Sequence, residues 1–194
     1  MSFFLVAQND VGVSSRRVFL HSSGLLLSAS AVALLAGCDT LAGMQKGAKS
    51  ESSDVAVLNS ALGAEYEGIA AYQVGAESGL LEQPILKVAL QFQGHHKQHA
   101  DVLAKTITKL GGAAISPKDK YTFPTDKLKT QADVLRFAAQ LEKGAVSAYL
   151  GAVPTFNNRD LAKAAASILG DEAMHWAVLR NALGEDPVPV AFMS

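Results

Sequence analysis

From Asp54 onward, apolar positions recur at intervals of three and four residues in four blocks, as in helices that each bury one face. The first block runs from about Asp54 to Gly79. The second runs from Pro84, a residue suited to a first helical turn, to about Leu110, where Gly111-Gly112 stops it. A polar stretch to about Lys129 holds Pro117 and Pro124 and no strand-like alternation. The third block covers about Thr130 to Ala152 and ends before Pro154; the fourth starts at Asn157-Asn158, side chains suited to capping, and ends at Gly184. The tail, residues 185–194, carries Pro187 and Pro189 and is expected to be non-helical. The pattern predicts an all-α four-helix domain over residues 54–184.

The blocks repeat. Ala64-Glu65-Tyr66-Glu67-Gly68-Ile69-Ala70-Ala71-Tyr72 aligns with Leu141-Glu142-Lys143-Gly144-Ala145-Val146-Ser147-Ala148-Tyr149, an offset of 77. His96-Lys97-Gln98-His99 aligns with Glu172-Ala173-Met174-His175, an offset of 76. Two similar helical hairpins therefore follow one another. Packing them across a two-fold axis requires the segment from Gly111 to Lys129 to run the length of the bundle. About eighteen residues reach roughly 60 Å when extended, more than a helix of about 26 residues needs.

Polar residues interrupt the apolar faces near mid-helix. Glu65 shares its face with Leu58, Leu62 and Ile69; Glu142 with Leu135, Ala138 and Ala145; Glu172 and His175 with Ile168, Leu169 and Leu179; His96 and His99 with Ala89, Phe92 and Leu103. Burying a carboxylate costs many kcal/mol unless it is neutralised or paired, and no Lys or Arg lies on these faces. A metal ion is the natural counter-charge. Without one, three facing carboxylates are expected to have raised pKa values. The four histidines after residue 38, His95, His96, His99 and His175, all fall at the two paired positions; the repeat selects His96, with His95 the alternative ligand. Tyr72 and Tyr149, one heptad beyond the single glutamates, are either hydrogen-bond partners of the ligands or ordinary core.

This constellation resembles the ferritin-like di-metal carboxylate proteins, in which two helices each supply a Glu and two others each supply Glu-x-x-His. Glu65 and Glu142 match the single glutamates, and Glu172-x-x-His175 matches one pair. The second hairpin helix departs from the pattern with His96-x-x-His99, replacing a glutamate that bridges two metals in that family. The resemblance implies a ferritin-like four-helix bundle with one or two divalent ions, iron first; the nitrogen-richer set also suits zinc, manganese or copper.

The first 38 residues carry Arg16 and Arg17, no Lys or Glu, and a short apolar run from Leu25 to Gly37, a secretion signal rather than a spanning helix. Ser15-Arg16-Arg17-Val18-Phe19-Leu20 resembles the twin-arginine export signal, and Leu35-Ala36-Gly37-Cys38 resembles a lipobox whose cysteine is acylated. Cys38 is the sole cysteine, so no disulfide forms within the chain. Asp39 after it resembles the signal that retains lipoproteins in the inner membrane, on its periplasmic side. Residues 39–53, rich in Ser, Gly and Lys, are expected to form a flexible tether.

Composition agrees with packed helices: 49% of residues are hydrophobic but only 7% aromatic. Net charge is −1, with no basic face for nucleic acid. A lipid anchor and tether conflict with a closed protein shell, so no cage is expected, whereas a homodimer is compatible. Two functions fit: metal-dependent redox, metal handling or stress protection outside the cytoplasm, or a non-catalytic structural or stress-related envelope binding module whose metal, if present, only stabilises the fold.

Overall fold

The computed structural model describes residues 47–194, with side chains from Ser52 onward. Four helices carry the described chain: α1 Gly47–Glu77, α2 Gln83–Lys109, α3 Gln131–Ala152 and α4 Arg159–Ala182. No strand occurs among the described residues. None of their helices is long and apolar enough to cross a membrane.

Local chemistry sets the helix ends. Pro84 sits in the first turn of α2. Thr130 and Asp133 form a reciprocal capping box at the start of α3. The Asn158 side chain accepts from the Asp160 N–H to cap α4. Gly79, Gly111 and Gly184, each just past a helix end, take positive φ of 69°, 76° and 72°.

α1 begins at Gly47, earlier than the periodicity predicts, so residues 47–53 are helical rather than part of a flexible tether. Ala48, Lys49 and Glu51 are good helix formers and no proline intervenes, so composition rich in Ser and Lys does not stop the helix. The proposed export leader, Arg16, Arg17, Cys38 and the tether's first residues lie outside the described residues.

α1 pairs with α2, and α3 with α4, as two antiparallel hairpins. Asn59 in α1 donates to the Ala113 carbonyl at 3.0 Å and accepts from the Ile115 N–H at 2.9 Å, holding the start of the crossover beside the first half of α1. At the opposite end, Gln131 accepts from the Glu82 N–H at 2.8 Å, placing the start of α3 beside the α1–α2 turn. The crossover thus spans the bundle, and α2 and α3 run parallel. Two apolar clusters fill the interior. Leu58, Leu62, Leu103, Ile107 and Leu161 anchor one, and Phe92, Leu135, Trp176 and Leu179 the other. Each fully buried aliphatic side chain is worth about 1.5–3 kcal/mol.

A polar lock closes one end. Buried Asp54 accepts from the Asn157 N–H at 2.8 Å and the Asn158 N–H at 2.9 Å, fixing the chain entering α4 against α1. Asp54→Ala strands these donors and should cost about 1–3 kcal/mol. Asp101→Ala, which removes only the exposed ion pair to Lys105, should cost less than about 1 kcal/mol. Urea unfolding of both variants measures the contrast.

Candidate metal centre

Between the two apolar clusters lies a polar layer supplied by all four helices: Glu65 from α1, His96 and His99 from α2, Glu142 from α3, and Glu172 and His175 from α4. Glu65, His96, Glu142, Glu172 and His175 are at most 4% exposed. Their donors fall into two sets of four, Glu65, His96, His99 and Glu172 in one and His96, Glu142, Glu172 and His175 in the other. Within each set the donor atoms lie within 4.8 Å of one another. Glu172 and His96 belong to both.

Inside each set the donor atoms crowd together without all of them finding partners. His99 Nδ1 stands 3.1 Å from Glu172 Oε1, yet neither atom makes a hydrogen bond, because their directions do not meet. Glu142 Oε2 is likewise buried without a partner. An orphaned buried carboxylate oxygen or imidazole nitrogen carries a desolvation penalty, and a cation removes it. Three carboxylates and three imidazoles, with unpartnered atoms in both sets, fit a pair of divalent ions of borderline character.

Two tyrosines brace the layer crosswise. Tyr72 on α1 donates to Glu142 Oε1 on α3, and Tyr149 on α3 donates to Glu65 Oε1 on α1 at 2.5 Å. Their rings also belong to the apolar clusters, so each is both core and hydrogen-bond partner. Burial and the facing carboxylates hold both phenols well above their ordinary pKa, which keeps them donors.

Protons occupy part of the role expected of metal. Burial disfavours imidazolium, but the surrounding carboxylates outweigh it and hold His96 at about 10 and His99 and His175 at about 11. Burial pushes Glu65 and Glu142 up, and their bonds to histidines outweigh it, leaving both below the usual carboxylate range. Only Glu172 moves up, under burial and the facing Glu142. The expectation that all three carboxylates rise without a metal is therefore corrected: charged histidines supply the cations that Lys and Arg do not.

His95 lies outside both sets and forms a third, partly exposed donor group with Asp171 and His175. Its Nδ1 stands 2.9 Å from His175 Nε2 and 3.1 Å from Asp171 Oδ2 at the half-exposed rim. Asp171 was not expected. Its Oδ2 also lies 3.4 Å from His99 Nε2 and 3.3 Å from His175 Nε2, while both rings turn Nδ1 inward. One carboxylate thus orients two inner donors, as carboxylates behind metal-binding histidines do. The signal in the sequence is its position four residues before His175, which puts both on one face. Asp171→Asn should lower affinity for a divalent ion by about 10–100-fold while leaving the helical content unchanged. Calorimetric titration with zinc and circular dichroism measure the two.

Space adjoins the layer on the α1–α3 side. A cavity of about 220 Å³ reaches His96 and Glu142 past Gly68, Gly144 and Ala148. A second, apolar cavity of about 280 Å³ ends on the Tyr72 ring.

The sequence model of the ferritin-like domain family matches residues 53–185. No functionally curated protein matches the chain. Among solved structures, a conserved hypothetical protein from Mycobacterium tuberculosis is similar with 23% identity and a TM-score of 0.63, covering 73% of this chain and 97% of that one. A ferritin-like, diiron-carboxylate protein from Bacillus anthracis strain Ames is similar with 21% identity and a TM-score of 0.60, covering 69% and 97%. At these identities the likeness is one of fold.

Proposed function

We propose, from the premise that this chain belongs to the ferritin-like domain family, that it binds two divalent ions, iron first, and works outside the cytoplasm in metal-dependent redox or metal handling. The observation that carries this reading is the pair of four-donor sets sharing Glu172 and His96, with unpartnered buried donor atoms in each. Glu65 and His99 complete one ion's set, and Glu142 and His175 the other's. Bound iron supplies one-electron chemistry toward oxygen or peroxide. The protein's share is to hold the donors through Tyr72, Tyr149 and Asp171, and to admit a small molecule through the cavity beside His96 and Glu142.

The twin-arginine-like segment with Arg16 and Arg17 and the lipobox ending at Cys38 support export and anchoring of this domain on the periplasmic face of the inner membrane. A second reading draws on His96 in place of a bridging glutamate: a nitrogen-rich centre suits zinc, which would stabilise an envelope module without turnover.

Elemental analysis and turnover assays on protein exported by its own host separate the readings. About two iron ions per chain, with oxidation of added ferrous ion or consumption of peroxide, is the expected result. Zinc alone with no turnover favours the envelope module. Absence of any metal, with the same melting temperature before and after a chelator, overturns the metal reading and leaves a binding or structural module.

A further inference from the structure

The helical repeat places His96 where the second hairpin has Glu172, at the same offset of 76 that relates His99 to His175. Glu172 offers one oxygen to each half of the centre: Oε1 lies 3.1 Å from His99 Nδ1, and Oε2 lies 3.2 Å from His175 Nδ1. His96 does the same with nitrogen. Its Nδ1 lies 2.8 Å from Glu65 Oε2 in one set, and its Nε2 lies 3.4 Å from Glu142 Oε1 in the other. An imidazolium that has lost both N–H protons is, like a carboxylate, a monoanion with two donor atoms, here on opposite sides of the ring.

We propose that His96 bridges the two ions as an imidazolate, one ring nitrogen to each, replacing the second bridging carboxylate. The proposal rests on the dinuclear reading above. Charge supports it. Two divalent ions bring +4; Glu65, Glu142 and Glu172 return −3 inside the layer, Asp171 adds −1 only from the rim behind His99 and His175, and an imidazolate would place a fourth negative charge between the ions themselves. Packing supports it as well. A Cβ on Gly68 would stand 3.2 Å from both Cε1 and Nδ1 of His96, closer than ordinary contact. By the repeat, Ala145 is the equivalent of Gly68 as Glu172 is the equivalent of His96. Gly68 thus admits a ring where the repeat admits a carboxylate, and the Tyr72 ring, with centroids 5.4 Å apart, also packs against the imidazole. The step balances without an oxidant or reductant. Starting from the imidazolium of the metal-free centre, the first ion would take the place of one N–H proton and the second ion that of the other; each N–H electron pair goes to an ion, and both protons leave to buffer.

The test uses the chain labelled with 15N-histidine and loaded with zinc alone, with stoichiometry measured by elemental analysis and ring nitrogens read by NMR. The expected result is two zinc ions per chain, one histidine with both nitrogens free of hydrogen, and His99 and His175 each keeping one N–H. The signal is assigned by its loss in His96→Gln. Gly68→Ala leaves every donor in place but crowds the ring, and should weaken the second zinc by more than about tenfold. Two zinc ions with an N–H retained on His96 overturn the bridge and leave the dinuclear centre standing. One zinc ion per chain overturns the bridge and the dinuclear count together. No zinc overturns the metal reading itself.

Discussion

Adding a divalent ion to metal-free protein should raise its melting temperature by about 8–16 °C once the free ion stands a thousandfold above its dissociation constant. Binding at that excess contributes about 4 kcal/mol, and a chain of this size gains about 2–4 °C per kcal/mol. Scanning calorimetry with and without a chelator measures it. Glu142→Ala should abolish the gain, because it removes a carboxylate needed by one ion and leaves the Tyr72 hydroxyl without its acceptor. His175→Ala should do the same for the loss of its inward Nδ1. Glu77→Ala, on the exposed side of α1, should leave the gain intact. A metal-induced gain that survives Glu142→Ala places the ion elsewhere.

The second large effect is a pair of opposing pH slopes. The histidine pKa values are raised on folding, from 6.5 to about 10 for His96 and about 11 for His99 and His175. Their contribution to the metal-free fold is therefore complete below pH 6.5 and is lost as pH rises through those folded values. Glu65 and Glu142 have the opposite sign: their folded values lie below 4.5, so their contribution is present above that pH and lost on acidification. Metal competes with the same protons, and its affinity rises about tenfold per pH unit for each proton displaced. Between pH 6.5 and 10 the melting temperature of chelated protein should fall while the increment added by zinc grows. A flat melting profile for chelated protein across that range would show that the histidines do not carry the cations.

What could be read in the sequence follows from how burial acts on each residue. Glu65, Glu142 and Glu172 stand out because a carboxylate amid leucines and alanines needs a stated compensation, and mid-helix placement leaves few geometries for it. The histidines stand out by concentration, and the crossover by the requirement that two repeated hairpins pack symmetrically. Asp171 was hidden for the opposite reason. It is partly exposed and adjacent to Glu172, so it looks like one more solvated acid until the rings of His99 and His175 are seen to converge on it. Periodicity put Tyr72 on the face of Glu65, yet it bonds Glu142, because a two-turn separation along one helix carries the hydroxyl toward the neighbouring helix. The early start of α1 escaped because helix propensity acts residue by residue, whereas the apolar pattern begins only where packing begins.

The crossed tyrosine–glutamate bonds also bear on the order of folding. They join positions 70 and 84 residues apart, whereas each hairpin closes through a short turn. Short-range closure loses less chain entropy, so the hairpins form early and their docking is the late, long-range event. Neither hairpin owns a complete donor set, since Glu172 must meet Glu65 across the junction. An ion therefore has no finished site to bind until docking is over. Its stabilisation then falls on the unfolding rate, slowing the parting of the hairpins while leaving the speed at which they first assemble nearly unchanged.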